Sequence, residues 1–182
     1  MLILGSQSPR RKEILEMAKI PFKVKVIDVF EDVKKSDPKD YVTKTALKKG
    51  LAYLDKFPSD VLLCCDTVVD VDGVILEKPK DINDAKRMIT LIQGRSHLVH
   101  TGVFLGNIDS YDNFVVTTKV YVRSMSEDEI NEYIKTTEPY DKAGSYAIQG
   151  IFAKFIEKID GDYYNVMGLP LCEVNKRIKK YL

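Results

Sequence analysis

Val61-Leu62-Leu63-Cys64-Cys65-Asp66-Thr67-Val68-Val69-Asp70-Val71-Asp72-Gly73-Val74-Ile75-Leu76-Glu77-Lys78-Pro79 is the stretch on which the reading of the fold turns. Its first five residues are apolar without interruption, as in a strand covered on both faces. Asp72-Gly73 is a strong two-residue hairpin signal, so Val61 to Val71 and Val74 to Lys78 read as antiparallel partners. Working outward, Leu2 to Leu4 reads as a short buried strand and Pro9 to about Ala18 as a helix. Phe22 to Val29 alternates as a strand. Asp37-Pro38 starts a helix that runs to about Leu54, with proline at its first position. Asp81 to Gln93 reads as a helix closed by Gly94. Ser96 to Leu105 and Phe114 to Val122 read as long strands joined by a polar loop. Ser126 and Glu129 form a capping box for a helix that ends before Pro139. A polar loop carries Tyr140 to Gly150, and a last strand spans Ile151 to Ile159. A turn follows at Asp160-Gly161, and Pro170 starts the terminal helix. Alternating strands and helices indicate an α/β fold, and the hairpins make its sheet mixed.

A chain of 182 residues is one domain's worth, so residues 1–182 are read as a single domain. Basic and acidic residues number 28 and 27, for a net charge of +1. That balance argues against a nucleic-acid partner, because such domains are usually strongly basic. No apolar run reaches the roughly 18 residues of a membrane helix. The apolar start Met1 to Leu4 is too short for a signal peptide, which makes the cytoplasm the expected location. Cys64, Cys65 and Cys172 lack the spaced partners of a zinc site and read as buried thiols.

Gly5-Ser6-Gln7-Ser8-Pro9-Arg10-Arg11 joins the first strand to the first helix. Ser8 suits the N-cap. Cations at a helix N-terminus are unfavourable by about 0.3–1 kcal/mol each, a cost that disappears if an anion binds among them. Backbone N–H groups, the Ser6 and Ser8 hydroxyls and the Arg10 and Arg11 forks suit a phosphate. A solvated charge run fits the same residues. In the next helix Lys49 lies between Val42, Thr45, Ala46 and Tyr53 at helical spacing. A buried lysine needs a carboxylate or phosphate nearby, while a snorkelling one does not. Leu47, Leu51 and Leu54 form a second stripe that leaves the choice of face open.

Counting back from the Asp72-Gly73 turn puts Thr67 opposite Lys78 and Asp66 beside Pro79. Asp66, Thr67 and Lys78 then meet at one end of the hairpin. A carboxylate there can hold a hard cation or activate a water, or it can be half of an ordinary surface pair. Between Glu138 and Gly150, Lys142 is a second phosphate contact and Gln149 offers both a donor and an acceptor to a base edge. Gly144 and Gly150 permit unusual backbone angles or close approach; a decorated surface loop is the other reading. His97 and His100, three apart on a strand, face opposite sides and do not share a metal.

Taken together, the residues resemble the Maf family of nucleoside triphosphate pyrophosphatases. The resemblance rests on Ser6-Gln7-Ser8-Pro9-Arg10-Arg11, Asp66-Thr67, Glu77-Lys78-Pro79 and Gly94-Arg95-Ser96-His97. It continues through Glu138-Pro139, Asp141-Lys142-Ala143-Gly144, Ile148-Gln149-Gly150, Asp160-Gly161-Asp162-Tyr163-Tyr164 and Val166-Met167-Gly168-Leu169-Pro170. It implies a two-lobed fold, akin to inosine triphosphate pyrophosphatase, with an elongated mixed sheet and a central cleft. It implies hydrolysis of a nucleoside triphosphate between its α and β phosphates, a divalent cation (magnesium or manganese) and often a homodimer. A housecleaning role in the nucleotide pool and a link to cell-division arrest accompany it. The branch acting on dTTP and UTP matches at Arg10, Thr67 and Gln149. The catalytic acid matches Asp66, with Lys49 and Lys78 as the basic pair, and Asp66 and Glu31 match the metal ligands. Gly50 stands where alanine is usual, Cys65 where alanine is frequent, and Phe30 where an acidic residue is common. A methylated-guanine branch and a nucleotide-responsive regulator that does not hydrolyse are the alternatives.

Overall fold

A computed structural model describes residues 1–30 and 32–182. Seven strands form a mixed sheet: β1 (Leu2–Leu4), β2 (Lys23–Val24), β3 (Val61–Val71), β4 (Val74–Leu76), β5 (Ser96–Gly106), β6 (Tyr111–Val122) and β7 (Ile156–Asp160). Their order is β2-β1-β3-β5-β6-β7, with β4 paired to β3. β1 runs parallel to β2 and β3, and every other pairing is antiparallel. The helices are α1 (Pro9–Met17), α2 (Pro38–Lys56), α3 (Ile82–Ile92), α4 (Glu127–Ile134), α5 (Tyr163–Met167) and α6 (Leu171–Ile178). The expected caps hold for α2, α3 and α4. Asp37 and Asp81 each accept from the N–H three residues on, and Ser126 and Glu129 form the reciprocal capping box. Ser8 does precede α1, but its side chain makes no capping bond. No helix among the described residues is long and apolar enough to cross a membrane.

Two strand expectations need correction. β2 covers only Lys23–Val24, not 22–29, because among the described residues it pairs only with β1, which has three residues, and no further strand lies beyond it. Ile151–Phe155 is a 3-10 turn, and the last strand begins at Ile156. Phe152 and Phe155 are both buried, and a three-residue turn puts positions three apart on one side. β6 starts at Tyr111, so the polar loop before it is shorter than the sequence suggests.

The long central strands run through two cores. On one face β3 gives Val61, Leu63 and Cys65 to a cluster with α1 and α6, and Val69 and Val71 to a cluster with α3 and α4. β5 divides likewise, with Val103 and Leu105 on one side and Val99 on the other. The polar positions between are Thr67 and Thr101, paired across the strands with hydroxyls 2.9 Å apart. A seam between the cores therefore crosses the sheet at Thr67. On the opposite face α2 packs Ala46, Tyr53 and Leu54 against Leu62, Cys64 and Phe104. This is the face on which Lys49 was placed, and of the second stripe Leu51 is exposed. Gly50 gives the Phe104 ring its place, since an added Cβ would lie 2.1 Å from Cγ.

Candidate active site

β1 pairs with β3 up to Leu63, and β4 pairs with it from Val69 onward. Between them, residues 64–68 of β3 have no strand on that edge among the described residues. Successive side chains of a strand point to opposite faces, yet at an open edge both faces can be reached. Asp66 and Thr67 consequently line the same cleft, which encloses about 540 Å³, within the range of small-molecule sites. The hairpin register is the one foreseen, with Val71 opposite Val74, but the ladder ends at Val69 and Leu76 and does not extend to Thr67 and Lys78. Lys78 nevertheless reaches the cleft from the chain beyond β4.

The cleft is lined by Ser6, Ser8, Arg10, Arg11, Lys49, Asp66, Thr67, Lys78, Lys142 and Gln149, all singled out in the sequence. Glu31 lies outside the described residues. Lys49 Nζ stands 2.9 Å from Asp66 Oδ1, with both side chains less than one-fifth exposed. Asp66 is thus a carboxylate partner of Lys49, and no ion pair joins Asp66 to Lys78 among the described residues. Arg11 is held by three uncharged oxygens. Its Nε donates to the Gly168 carbonyl (2.8 Å), Nη1 to Ser6 Oγ (3.0 Å) and Nη2 to Thr67 Oγ1 (3.2 Å). Among the described residues neither Arg11 nor Lys78 forms an ion pair. Their charges face the cleft uncompensated. Arg10 reaches Asp141 at 3.4 Å, and Lys142 binds the other oxygen of that carboxylate at 2.6 Å. Burial acts to raise the Asp141 carboxyl, but Lys142 and Arg10 outweigh it and hold the group below its ordinary value.

Five cations therefore share the cleft with two carboxylates, Asp66 and Asp141. In so shielded a space that imbalance is costly until an anion enters. Gln149 is exposed and makes no hydrogen bond among the described residues, which leaves its amide open to a ligand. The apolar wall is Ala143, Tyr146, Ala147, Val166 and Met167. Sequence reasoning missed this wall. It gives no role in the cleft to Met167, Tyr146 or Gln7, the last of which also lines it. A glycine-punctuated apolar run, Val166-Met167-Gly168, was the available signal. Gly144 takes a left-handed φ of 69°, as foreseen, whereas Gly150 does not.

The two histidines face opposite ways. His100 contacts Asp70 and Thr117, and His97 Nε2 lies 2.7 Å from the Tyr146 hydroxyl behind the cleft wall. Burial pushes the His97 imidazole down to about 4 from 6.5, with Arg95 adding to the effect. Between these values the unfolded chain binds a proton that the folded chain refuses, so stability falls as pH drops through that window. The expected loss is about 2 kcal/mol between pH 7 and pH 5. Urea unfolding at the two pH values measures it, and His97→Gln should remove that part of the difference. An equal pH difference in the variant would show that His97 is not the group responsible. Burial also raises the Cys64 and Cys65 thiols, to about 12 and about 11, so both stay protonated. Cys172 is exposed, contrary to the expectation of a buried thiol.

Residues 1–181 match the family model described as Maf-like protein. A dTTP/UTP pyrophosphatase of Acholeplasma laidlawii is 48% identical over 100% of this chain and 96% of its own length. Proteins of the same name from Bacillus cytotoxicus and Koribacter versatilis are 44% and 43% identical, each over 98% of this chain and 94% and 93% of their own lengths. Among solved structures, the Staphylococcus aureus Ham1 protein superposes with a TM-score of 0.51 at 11% identity, covering 85% of this chain and 92% of that one. That likeness concerns the fold alone.

Proposed function

The chain belongs to the Maf family, and from that premise we propose that it hydrolyses dTTP and UTP to the nucleoside monophosphate and pyrophosphate. The observation that carries the reading is the pairing of Asp66 with Lys49 inside a cleft where Arg11 and Lys78 form no ion pair among the described residues. The names of the full-length relatives support the pyrimidine substrates. The whole chain, residues 1–182, is read as one such domain, acting as a cytoplasmic homodimer.

The triphosphate lies among Arg10, Arg11, Lys49, Lys78 and Lys142. Arg11, already oriented by three neutral oxygens, gives up no ion pair to bind it. Arg10 and Lys142 exchange Asp141 for a phosphate oxygen. Asp66 orients a water against the α phosphorus and accepts its proton. The new bond joins the water oxygen to that phosphorus, and the bond to the bridging α–β oxygen breaks. Lys49 holds the Asp66 carboxylate in place and faces the negative charge that moves onto the leaving pyrophosphate.

A divalent metal fits this donor set in one way. Among the described residues no group of three His, Cys, Asp or Glu could hold a metal. Magnesium, however, needs only one or two carboxylates when substrate phosphates supply further oxygens. Asp66 is the carboxylate that would hold magnesium or manganese. When bound, such an ion neutralises phosphate charge.

Gln149 reads the base, aided by Thr67 and Arg10. Its amide can donate to O4 of uracil or thymine and accept from N3–H, and cytosine reverses both polarities. Gln149→Ala is expected to lower the preference for UTP over CTP by about 10-fold or more, with little effect on pyrophosphate inhibition. Initial rates of pyrophosphate release over a panel of pyrimidine, purine and methylated-guanine triphosphates test the whole reading. No release from dTTP or UTP would overturn it. Unchanged relative rates in the variant would remove Gln149 from base recognition.

A further inference from the structure

Glu138 does not line the cleft, yet its carboxylate ties together both ends of the segment that does. Oε1 accepts the Ile151 N–H at 2.6 Å, thirteen residues away, and Oε2 accepts the Phe152 N–H at 3.1 Å. Oε2 also lies 2.8 Å from the Tyr133 hydroxyl, which is 3.0 Å from the Ser145 carbonyl within the same segment. Burial, and then Glu138 itself, push the Tyr133 phenol far above its ordinary value, so it remains a donor. The Glu138 carbonyl accepts from Lys142 Nζ at 3.1 Å. Between the two tied ends stand Lys142, Tyr146 and Gln149. The clamp also explains Gly150, because a Cβ there would lie 1.8 Å from Oε1. The glycine next to Gln149 is what lets the carboxylate reach the backbone behind it.

Gln149 has no side-chain partner of its own among the described residues, so its position is set by its backbone. Opening the clamp frees a loop, and a recognition group displaced by 1 Å can cost about 100-fold. We propose that Glu138 is the positioning residue for base selection, holding the 138–151 loop so that the Gln149 amide faces the nucleobase. This rests on the pyrimidine triphosphate reading above and adds a determinant outside the cleft.

The chemistry of the clamp supplies the test. Both carboxylate oxygens face N–H donors, so neither orientation of a glutamine amide can satisfy them: its NH2 must oppose Ile151 N–H or Phe152 N–H. Glu138→Gln should therefore open the clamp at constant size. Ile151→Pro removes one donor from the other side. Ile151 is exposed and begins a 3-10 turn, where the fixed φ of proline is tolerated. In either variant the UTP-over-CTP ratio of kcat/KM should fall about 10-fold, chiefly through a higher KM for UTP. The kcat on UTP should change less than about 3-fold, and inhibition by inorganic pyrophosphate should stay as in the unaltered chain. A purely structural role would instead lower kcat on both nucleotides alike and leave the ratio unchanged, and that result in whichever variant folds would overturn the proposal. Failure of the underlying reading looks different, because the unaltered chain would then release pyrophosphate from neither nucleotide. In that event the UMP-over-CMP affinity ratio, measured calorimetrically on the same proteins, tests Glu138 by the same criterion: a fall supports it and no change overturns it.

Discussion

Asp66→Asn should lower kcat for pyrophosphate release from UTP by roughly 1,000-fold while nucleotide binding survives. The substitution keeps the shape of the side chain and removes its charge and with it the capacity to accept a proton, and a positioned general base is worth about 100- to 10,000-fold. Lys49 loses the Asp66 charge but keeps an oxygen partner there, so the packing of α2 on β3 should stand. Binding of a non-hydrolysable UTP analogue should be unchanged or tighter, because a negative charge has left the space the phosphates enter. Stopped assays of pyrophosphate together with calorimetry of the analogue separate the two effects. Near-normal turnover would eliminate Asp66 as the base. Loss of binding and turnover together would make it a substrate or metal ligand first.

The second large effect comes from a residue that touches no substrate. Gly102 on β5 sits directly opposite Asp66 in the ladder. A Cβ at Gly102 would lie 2.1 Å from the Val42 carbonyl oxygen and 2.8 Å from the Thr43 nitrogen, both in the backbone of α2. Helix backbone cannot yield as the tip of a side chain can. Gly102→Ala should force α2 away from the sheet at a cost of about 3 kcal/mol, the upper part of the usual overpacking range. Because Lys49 rides on α2, the 2.9 Å contact to Asp66 should open as well. The expected result is a lower urea midpoint together with a fall in kcat measured well below the unfolding temperature. A variant as stable and as active as the unaltered chain would show that the close approach of helix and strand is not required.

The fold was legible where local rules act over a few residues. Asp37-Pro38, Asp81 and the Ser126–Glu129 box announced their helices, because a cap is a bond between residues three apart. Asp72-Gly73 announced its hairpin, and Val71 and Val74 do pair. Reading failed where pairing partners ran out. Residues 25–29 alternate like a strand, but an edge strand can be only as long as its neighbour. It failed again at 151–155, where buried Phe152 and Phe155 and the Glu138 carboxylate outweigh an apolar run that resembles a strand.

The residue types in the chain, and their order along it, were enough to name the chemistry: a carboxylate, several cations, hydroxyls and an open amide. They left Lys49 open between a buried lysine in need of a partner and a snorkelling one without that need. What they could not settle is which groups touch. Lys49 takes Asp66, and Arg11 is oriented by a carbonyl 157 positions away. Adjacent Asp66 and Thr67 serve one cleft only because the sheet edge is open between β1 and β4. Backbone preferences decay within a turn or two, whereas such contacts arise when two cores pack against one sheet and leave a polar seam between them.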